Sequence, residues 1–261
     1  MKNVLITGAA GDIGRVLRLN FRDRYKLRLT DINTPEDLDN TEEFVKADLR
    51  DFDAIKDVTT GMDAVVHLGG IVGEGSWESI CASNIDGTYN VFESARIAGA
   101  ERVICASSVH AVGYYPREQK IAADVTVLPD SRYGLSKAFS EAVGAMYTKK
   151  YGIKVMAVRI GNNAPVPTDE RLLSIWISHR DMAQLVGIGL DHPDLQYEIV
   201  YGVSGNTRSW WDNSNAERLG YQPEDNAEDW AEEVIAKAPQ DPDAPGADLQ
   251  GGEFVRMEGG S

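Results

Sequence analysis

The sequence predicts an α/β fold, a doubly wound parallel sheet with a small C-terminal lid, on three observations. Short β-branched runs alternate with longer segments of helical period, a glycine-rich turn joins the first such pair, and the alternation gives way to loop-like sequence after Gly161. Strands alternating with helices build βαβ units, whose helices cover both faces of a parallel sheet.

The elements follow in chain order. "KNVLITG" reads as the first strand and "GRVLRLNFRDR" as the helix after it. "KLRLTD", "MDAVVHLGG" and "ERVICASS" are further strands, separated by the helical "DFDAIKDVTTG" and "NIDGTYNVFESARIAG". The helical "SRYGLSKAFSEAVGAMYTKKYG" and the strand "IKVMAVRIG" extend the pattern, giving about six or seven strands in a Rossmann-type sheet. Beyond Gly161, "NNAPVPTDE" is loop-like, Ser178 and Asp181 stand at capping-box spacing before a helix, and "YEIVYGVSG" is a strand. Residues 1–161 are expected to bind the cofactor and carry the catalytic groups. Residues 162–261 are expected to form a small substrate-binding region and tail of the same domain. The Pro-, Gly- and Asp-rich "PQDPDAPGADLQGGEF" is expected to wrap the surface or stay partly mobile.

Composition bounds the function. A chain of 261 residues with 43% hydrophobic content builds one substantial core. It contains no run near the ~18–20 apolar residues of a membrane helix, and "MKNVLITGAAG" is no signal peptide, so a cytoplasmic location is expected. Cys81 and Cys105 suggest reduced packing residues. A formal charge of -15 argues against nucleic acid and anionic membranes as partners. Residues 222–261 hold eleven acidic and two basic side chains, which reads as a solvated face.

In "VLITGAAGDIGRVL", Gly8, Gly11 and Gly14 lie between the first strand and the first helix. Glycines there permit a tight turn and let a pyrophosphate approach the helix N-terminus, where free N–H groups favour anions. Asp31 ends the second strand, where a carboxylate accepts the ribose hydroxyls of NAD and repels the 2′-phosphate of NADP. The expected cofactor is therefore NAD. Asp48 in "KADLRD" ends the next strand within reach of the adenine, and Gly69 in "HLGG" leaves the chain room beside the dinucleotide.

"YGLSK" sets Tyr133 and Lys137 four apart, on one face of a helix. A free tyrosine titrates near ~10, too high for a base at neutral pH, and a neighbouring ammonium favours the phenolate. Ser108, at the end of an adjacent strand, would hold the substrate oxygen.

The order "TGAAGDIG", "ADLRD", "HLGG", "NIDGT", "ASSVHAVG", "YGLSK" and "VRIGN" resembles the extended branch of the short-chain dehydrogenase/reductase family. The resemblance covers residues 1 to about 235. It implies Ser108, Tyr133 and Lys137 as the catalytic triad, with Lys137 and Tyr133 also at the cofactor, and Asn84 supporting the catalytic helix. It further implies cofactor contacts at Gly8, Gly11, Asp12, Ile13, Gly14, Asp31, Asp48, Leu49, Leu68 and Gly69. A homo-oligomer paired through the helices that bear YxxxK is expected on the same ground.

Within that family, "SSVHAVGYYP", "RYGLSK", "RLLSIWISHRD" and "WWDNS" look like the uronate dehydrogenases, which oxidise a free uronate at C1 to an aldarolactone. The resemblance implies substrate contacts at Ser108, His110, Asn162 and Arg171. A sugar acid needs a fixed cation, and Arg171 opens the segment expected to cover the site. Its hydroxyls need neutral partners such as His110, Asn162 and Asn163. Without the resemblance, Arg171 would read as a surface ion-pair partner of Asp169 or Glu170. The chain departs from the pattern at Val72 and Val109, where polar contacts are expected, and at Asn162, which replaces a serine. His67 is expected to pack beside the cofactor loop, and no metal-ligand spacing links the four histidines and two cysteines. The rivals are a nucleotide-sugar epimerase, or another sugar dehydrogenase, and a non-catalytic NAD sensor. The short C-terminal region argues against a nucleoside diphosphate, and the intact triad against a sensor.

Overall fold

The computed structural model describes residues 1–257. Five-residue runs of buried, mainly branched side chains form β1 (Asn3–Thr7) and β2 (Lys26–Thr30), and β3 (Glu43–Phe44), β4 (Ala64–His67), β5 (Arg102–Ser108) and β6 (Lys154–Ile160) follow. After the short pair β7 (Asn162–Asn163) and β8 (Trp176–Ile177), β9 (Tyr197–Gly202) returns to the main sheet. The order is β3-β2-β1-β4-β5-β6-β9, every pair parallel, so the expected doubly wound sheet has seven strands. Order reverses between β1 and β4, where Thr7 stands level with Thr30 and His67. A crevice therefore opens above their carboxyl ends.

The crossovers are helical. α1 (Asp12–Phe21) starts at Gly11, and α2 (Phe52–Thr59) is capped by Asp51, whose carboxylate accepts the Ala54 N–H. α3 (Trp77–Ile80) runs through a π-turn over Cys81–Asp86 into α4 (Gly87–Ala98). The 20-residue α5 (Arg132–Tyr151) begins at Ser131, whose hydroxyl accepts the Gly134 N–H, and ends on left-handed Gly152. α2, α4 and α5 bury one face of the sheet through Ile55, Phe92 and Tyr147. α1 and α7 (His179–Asp191) bury the other through Leu17, Phe21, Met182 and Leu185. Truncating a wholly buried ring such as Phe92 to alanine costs about 3–5 kcal/mol.

The segment between β5 and α5 and the chain after β6 together build a smaller core from Val109, Val112, Ile121, Leu172, Tyr201 and Trp211. It includes α6 (Leu172–Ile175) and is flanked by α8 (Ser214–Arg218) and α9 (Ala231–Lys237). The Asn213 amide donates to the Tyr201 carbonyl and accepts from its N–H, sealing part of the β9 edge. Val109, expected to lead into the pocket, is instead buried in this core, because the chain turns into a 3₁₀ helix (Val109–Val112) directly after β5.

Of its two expected courses, the C-terminal segment takes the one that wraps onto the rest of the chain. Leu249 pairs with Pro116, the Arg117 N–H donates to the Asp248 carbonyl, and Gln250 is wholly buried. Cys81 and Cys105 are free thiols, and burial pushes Cys105 up to about 12, leaving it unreactive. No helix among the described residues is long and apolar enough to cross a membrane.

Candidate active site

The crevice is a cleft of about 570 Å³. Of the expected cofactor contacts, Gly8, Gly11, Asp31, Asp48, Leu49, Leu68 and Gly69 line it. Gly8 is left-handed (φ +69°), and a Cβ there would lie 2.7 Å from the Gly69 nitrogen. Two loops thus cross at backbone contact. Asp12, Ile13 and Gly14 do not line the cleft: they form the first turn of α1, with Ile13 against the core and Gly14 on the loop. A Cβ on Gly14 would come within 2.4 Å of the Gly8 carbonyl, so this glycine serves close packing of turn and helix.

The Asp31 carboxylate accepts the N–H groups of Ala10 and Asn33, at 3.1 and 3.0 Å, and is held at the mouth of the cleft. Asp48 is gripped by the Nε–Nη2 edge of the Arg50 guanidinium at 2.5–3.0 Å, which lowers its pKa below the usual carboxylate range. The resulting cradle has open backbone at the phosphate position, a carboxylate at the second strand end and apolar walls at Leu49 and Leu68. These features fit NAD.

His67 lies beneath the cradle. Its Nδ1 is 2.8 Å from the Thr7 hydroxyl and its Nε2 3.2 Å from that of Thr88, and Thr7 Oγ1 accepts the Gly69 N–H at 3.2 Å. Burial, and then repulsion from Lys137, push the imidazole down to about 3. It is therefore a neutral strut for the crossing at Gly8 and Gly69.

The residues expected to be catalytic stand at the end of β5 and on α5. Ser108 is 4% exposed, and its Oγ accepts the His110 N–H at 3.2 Å. Tyr133 lies in the first turn of α5 and Lys137 one turn on, with Lys137 Nζ 5.4 Å from the Tyr133 ring centre and donating to the Ala106 carbonyl at 2.9 Å. Gly134 lets the two elements meet: a Cβ there would be 2.3 Å from the His110 carbonyl. Asn84, in the π-turn, donates to the Ile71 carbonyl and the Ser136 hydroxyl, which in turn donates to the Tyr133 carbonyl. This is a direct tie between the π-turn and the helix that bears Tyr133. Behind it, Glu141 accepts the Ser107 hydroxyl at 2.7 Å and pairs with buried Arg159 at 2.8 Å, bracing the strand end.

Of the expected substrate contacts, His110 is fixed through Nδ1, 2.7 Å from Asp130. The Asp130 side chain is wholly buried, and a Cβ at Gly113 or Gly251 would fall 1.8 or 2.1 Å from its Oδ2. Asp130 was not singled out by sequence, nor was Phe254, whose ring stacks on His110 at 3.8 Å between centres. The only available signal was position: Asp130 directly precedes the cap of the helix bearing Tyr133.

Arg171 is no surface residue. It makes no ion pair with Asp169, Glu170 or any other carboxylate among the described residues. Its Nη2 donates to the Gln250 carbonyl at 2.8 Å, and its Nε is buried without a partner. Burial, then the charge of Arg117, lower it to about 10. Asn162 Oδ1 and Asn163 Oδ1 are likewise buried without partners. Val72 is 85% exposed on the rim of the dinucleotide cleft.

Relatives share much of this sequence and its fold. Uronate dehydrogenase of Pseudomonas putida is 40% identical over 254 residues, covering 97% of this chain and 95% of that protein. Uronate dehydrogenase of Agrobacterium fabrum is 41% identical over 257 residues, covering 98% and 97%. The crystal structure of uronate dehydrogenase from Agrobacterium tumefaciens superposes with a TM-score of 0.95 at 41% identity, covering 99% of this chain and 98% of that one. With its glycine crossing, its strand-end serine and its Tyr-Lys helix all within the matched residues 4–197, the chain belongs to the NAD dependent epimerase/dehydratase family.

Proposed function

We propose that the protein oxidises a free uronate, D-glucuronate or D-galacturonate, at C1 with NAD, as a uronate dehydrogenase. The observation that carries this reading is the buried guanidinium of Arg171, with an unpartnered Nε, joined through Gly251 and Gly252 to the Asp130 carboxylate that holds His110, while two further amide oxygens, of Asn162 and Asn163, are also buried without partners. An uncompensated buried cation is costly, and a substrate carboxylate relieves that cost. The two nearly full-length relatives named uronate dehydrogenase support the same substrate class.

In this reading Arg171 grips the carboxylate, and Asn162 and Asn163 accept sugar hydroxyls. The Asp130 carboxylate takes the proton-bearing Nδ1 side of His110, which leaves Nε2 to accept a further hydroxyl. Ser108 Oγ holds the anomeric oxygen. The charge of Lys137 favours the Tyr133 phenolate, whose Oη takes the anomeric hydroxyl proton and becomes the neutral phenol. NAD, when bound, supplies the hydride acceptor, and loss of hydride and proton from C1–OH leaves the 1,5-lactone. Asp31, with a carboxylate at the ribose, selects NAD over NADP.

The reading extends to assembly. Leu135 and Met146, 45% and 44% exposed and three turns apart on α5, offer an apolar stripe for pairing of two copies, which light scattering will register as a dimer or larger. The substrate reading is tested with Arg171→Met: the KM for D-glucuronate is expected to rise about 100-fold while the KM for NAD holds, since loss of one partner from a buried charge pair costs ~2–5 kcal/mol. An unchanged uronate KM refutes it.

A further inference from the structure

We propose that the C-terminal hook, residues 246–256, is a wall of the substrate pocket and that Gln250 is the residue that positions Arg171. The inference rests on the uronate reading above, because it concerns how the carboxylate-gripping cation is aimed. Gln250 is wholly buried in a tail whose composition is that of a solvated segment. Every polar group it carries is used. Its Nε2 donates to the carbonyls of Pro116 and Gln119 at 3.1 and 3.0 Å, and its Oε1 accepts the Trp211 indole N–H at 2.8 Å. Its backbone N–H donates to the Tyr115 carbonyl at 2.9 Å, and its own carbonyl accepts Arg171 Nη2 at 2.8 Å.

Two glycines let the hook come this close. The Gly251 N–H donates to the Gly113 carbonyl at 2.8 Å, and a side chain at Gly251 would strike Asp130. Gly252 is left-handed (φ +63°), and a Cβ there would lie 2.8 Å from Arg171 Nε. The hook thus lies against both the carboxylate that orients His110 and the guanidinium.

An arginine side chain is long and rotatable, so an unanchored one meets a carboxylate in many poses. The Gln250 carbonyl occupies Nη2 and Gly252 lies against Nε, so the hook fixes the pose of the guanidinium. The side-chain amide of Gln250 fixes that carbonyl in turn.

The test is a double-mutant cycle on the full chain. KM for D-glucuronate is measured for the wild type, Arg171→Met, Gln250→Met and the double variant, with NAD binding followed by titration in each. Gln250→Met keeps the volume and removes the hydrogen bonds. It is expected to raise the uronate KM about tenfold in the wild-type background but less than about twofold in the Arg171→Met background, the coupling of residues that act through each other. NAD affinity stays constant throughout. Equal effects in both backgrounds overturn the inference and leave Gln250 a packing residue. An Arg171→Met variant with unchanged uronate KM fails the substrate reading itself, which separates the two failures. Should Gln250→Met not fold, Trp211→Phe removes one hydrogen bond to the same amide. It is expected to raise the KM about threefold only when Arg171 is present, and an effect of equal size without Arg171 overturns the inference.

Discussion

His67 makes stability depend on pH in a way that can be calculated. In the folded chain its imidazole is pushed down to about 3, chiefly by burial, whereas an unfolded histidine titrates near ~6.5. The unfolded chain therefore takes up a proton below ~6.5 that the folded chain refuses until about 3. Stability is lost as pH falls through this window, and the loss stops growing at its lower end. Comparing proton uptake by the two states gives a penalty of roughly 0.2 kcal/mol at pH 7 and roughly 2 kcal/mol at pH 5. The perturbation is His67→Asn, which keeps a polar group near Nδ1 and removes the titration. Urea unfolding of both proteins at pH 7, 6 and 5 isolates the effect, because every other titrating group is common to the pair. The wild type is expected to lose about 2 kcal/mol relative to the variant between pH 7 and 5. A difference between the two proteins that stays constant over that range refutes a buried neutral His67. Because folded His67 stays neutral down to about 3, its link through Thr7 to the Gly69 N–H is unchanged and NAD affinity is expected to hold over the same range.

Four further outcomes are expected. Tyr133→Phe abolishes turnover while NAD still binds by titration; an active variant removes Tyr133 as the base. Gly8→Ala places a Cβ 2.7 Å from the Gly69 nitrogen in a left-handed backbone, so NAD affinity falls at least about tenfold and thermal stability drops by roughly 1–3 kcal/mol. Asp31→Ala raises the KM for NAD about tenfold and relieves the exclusion of NADP, which steady-state kinetics with both cofactors will measure. Asp130→Asn presents an amide to His110 Nδ1 and reverses the hydrogen-bond polarity at Nε2, so uronate KM rises by about tenfold with NAD binding unchanged.

What was legible in the sequence was local. Gly8, Gly11 and Asp31 sit at fixed distances along one βαβ unit, and Tyr133 and Lys137 share a helix face, so spacing alone carried them to the site. Ser108 and His110 were legible because a strand of apolar residues ends abruptly in polar ones. The same logic failed at Val109, since a 3₁₀ turn rotates it out of the alternation a strand would impose and into the smaller core. Gln250 and Phe254 were invisible for a different reason. Several of their partners, Pro116, Gln119 and His110, lie more than a hundred residues away, and a Gly- and Asp-rich tail offers neither periodicity nor hydrophobicity to announce a docked segment. Its glycines were the available signal, but their meaning depends on the neighbours that only the fold supplies.

The central claim is that a buried, unpaired guanidinium selects a sugar acid. The direct measurement is the initial rate of NADH formation by the wild type with D-glucuronate, D-galacturonate, D-glucose and UDP-glucuronate. D-Glucose differs from D-glucuronate at C6 alone, so the ratio of their kcat/KM values reports the carboxylate contact. The expected preference for D-glucuronate over D-glucose is at least about 100-fold, with no turnover of UDP-glucuronate, whose anomeric oxygen is blocked. Equal kcat/KM for D-glucose and D-glucuronate, or turnover of the neutral sugar only, contradicts the account.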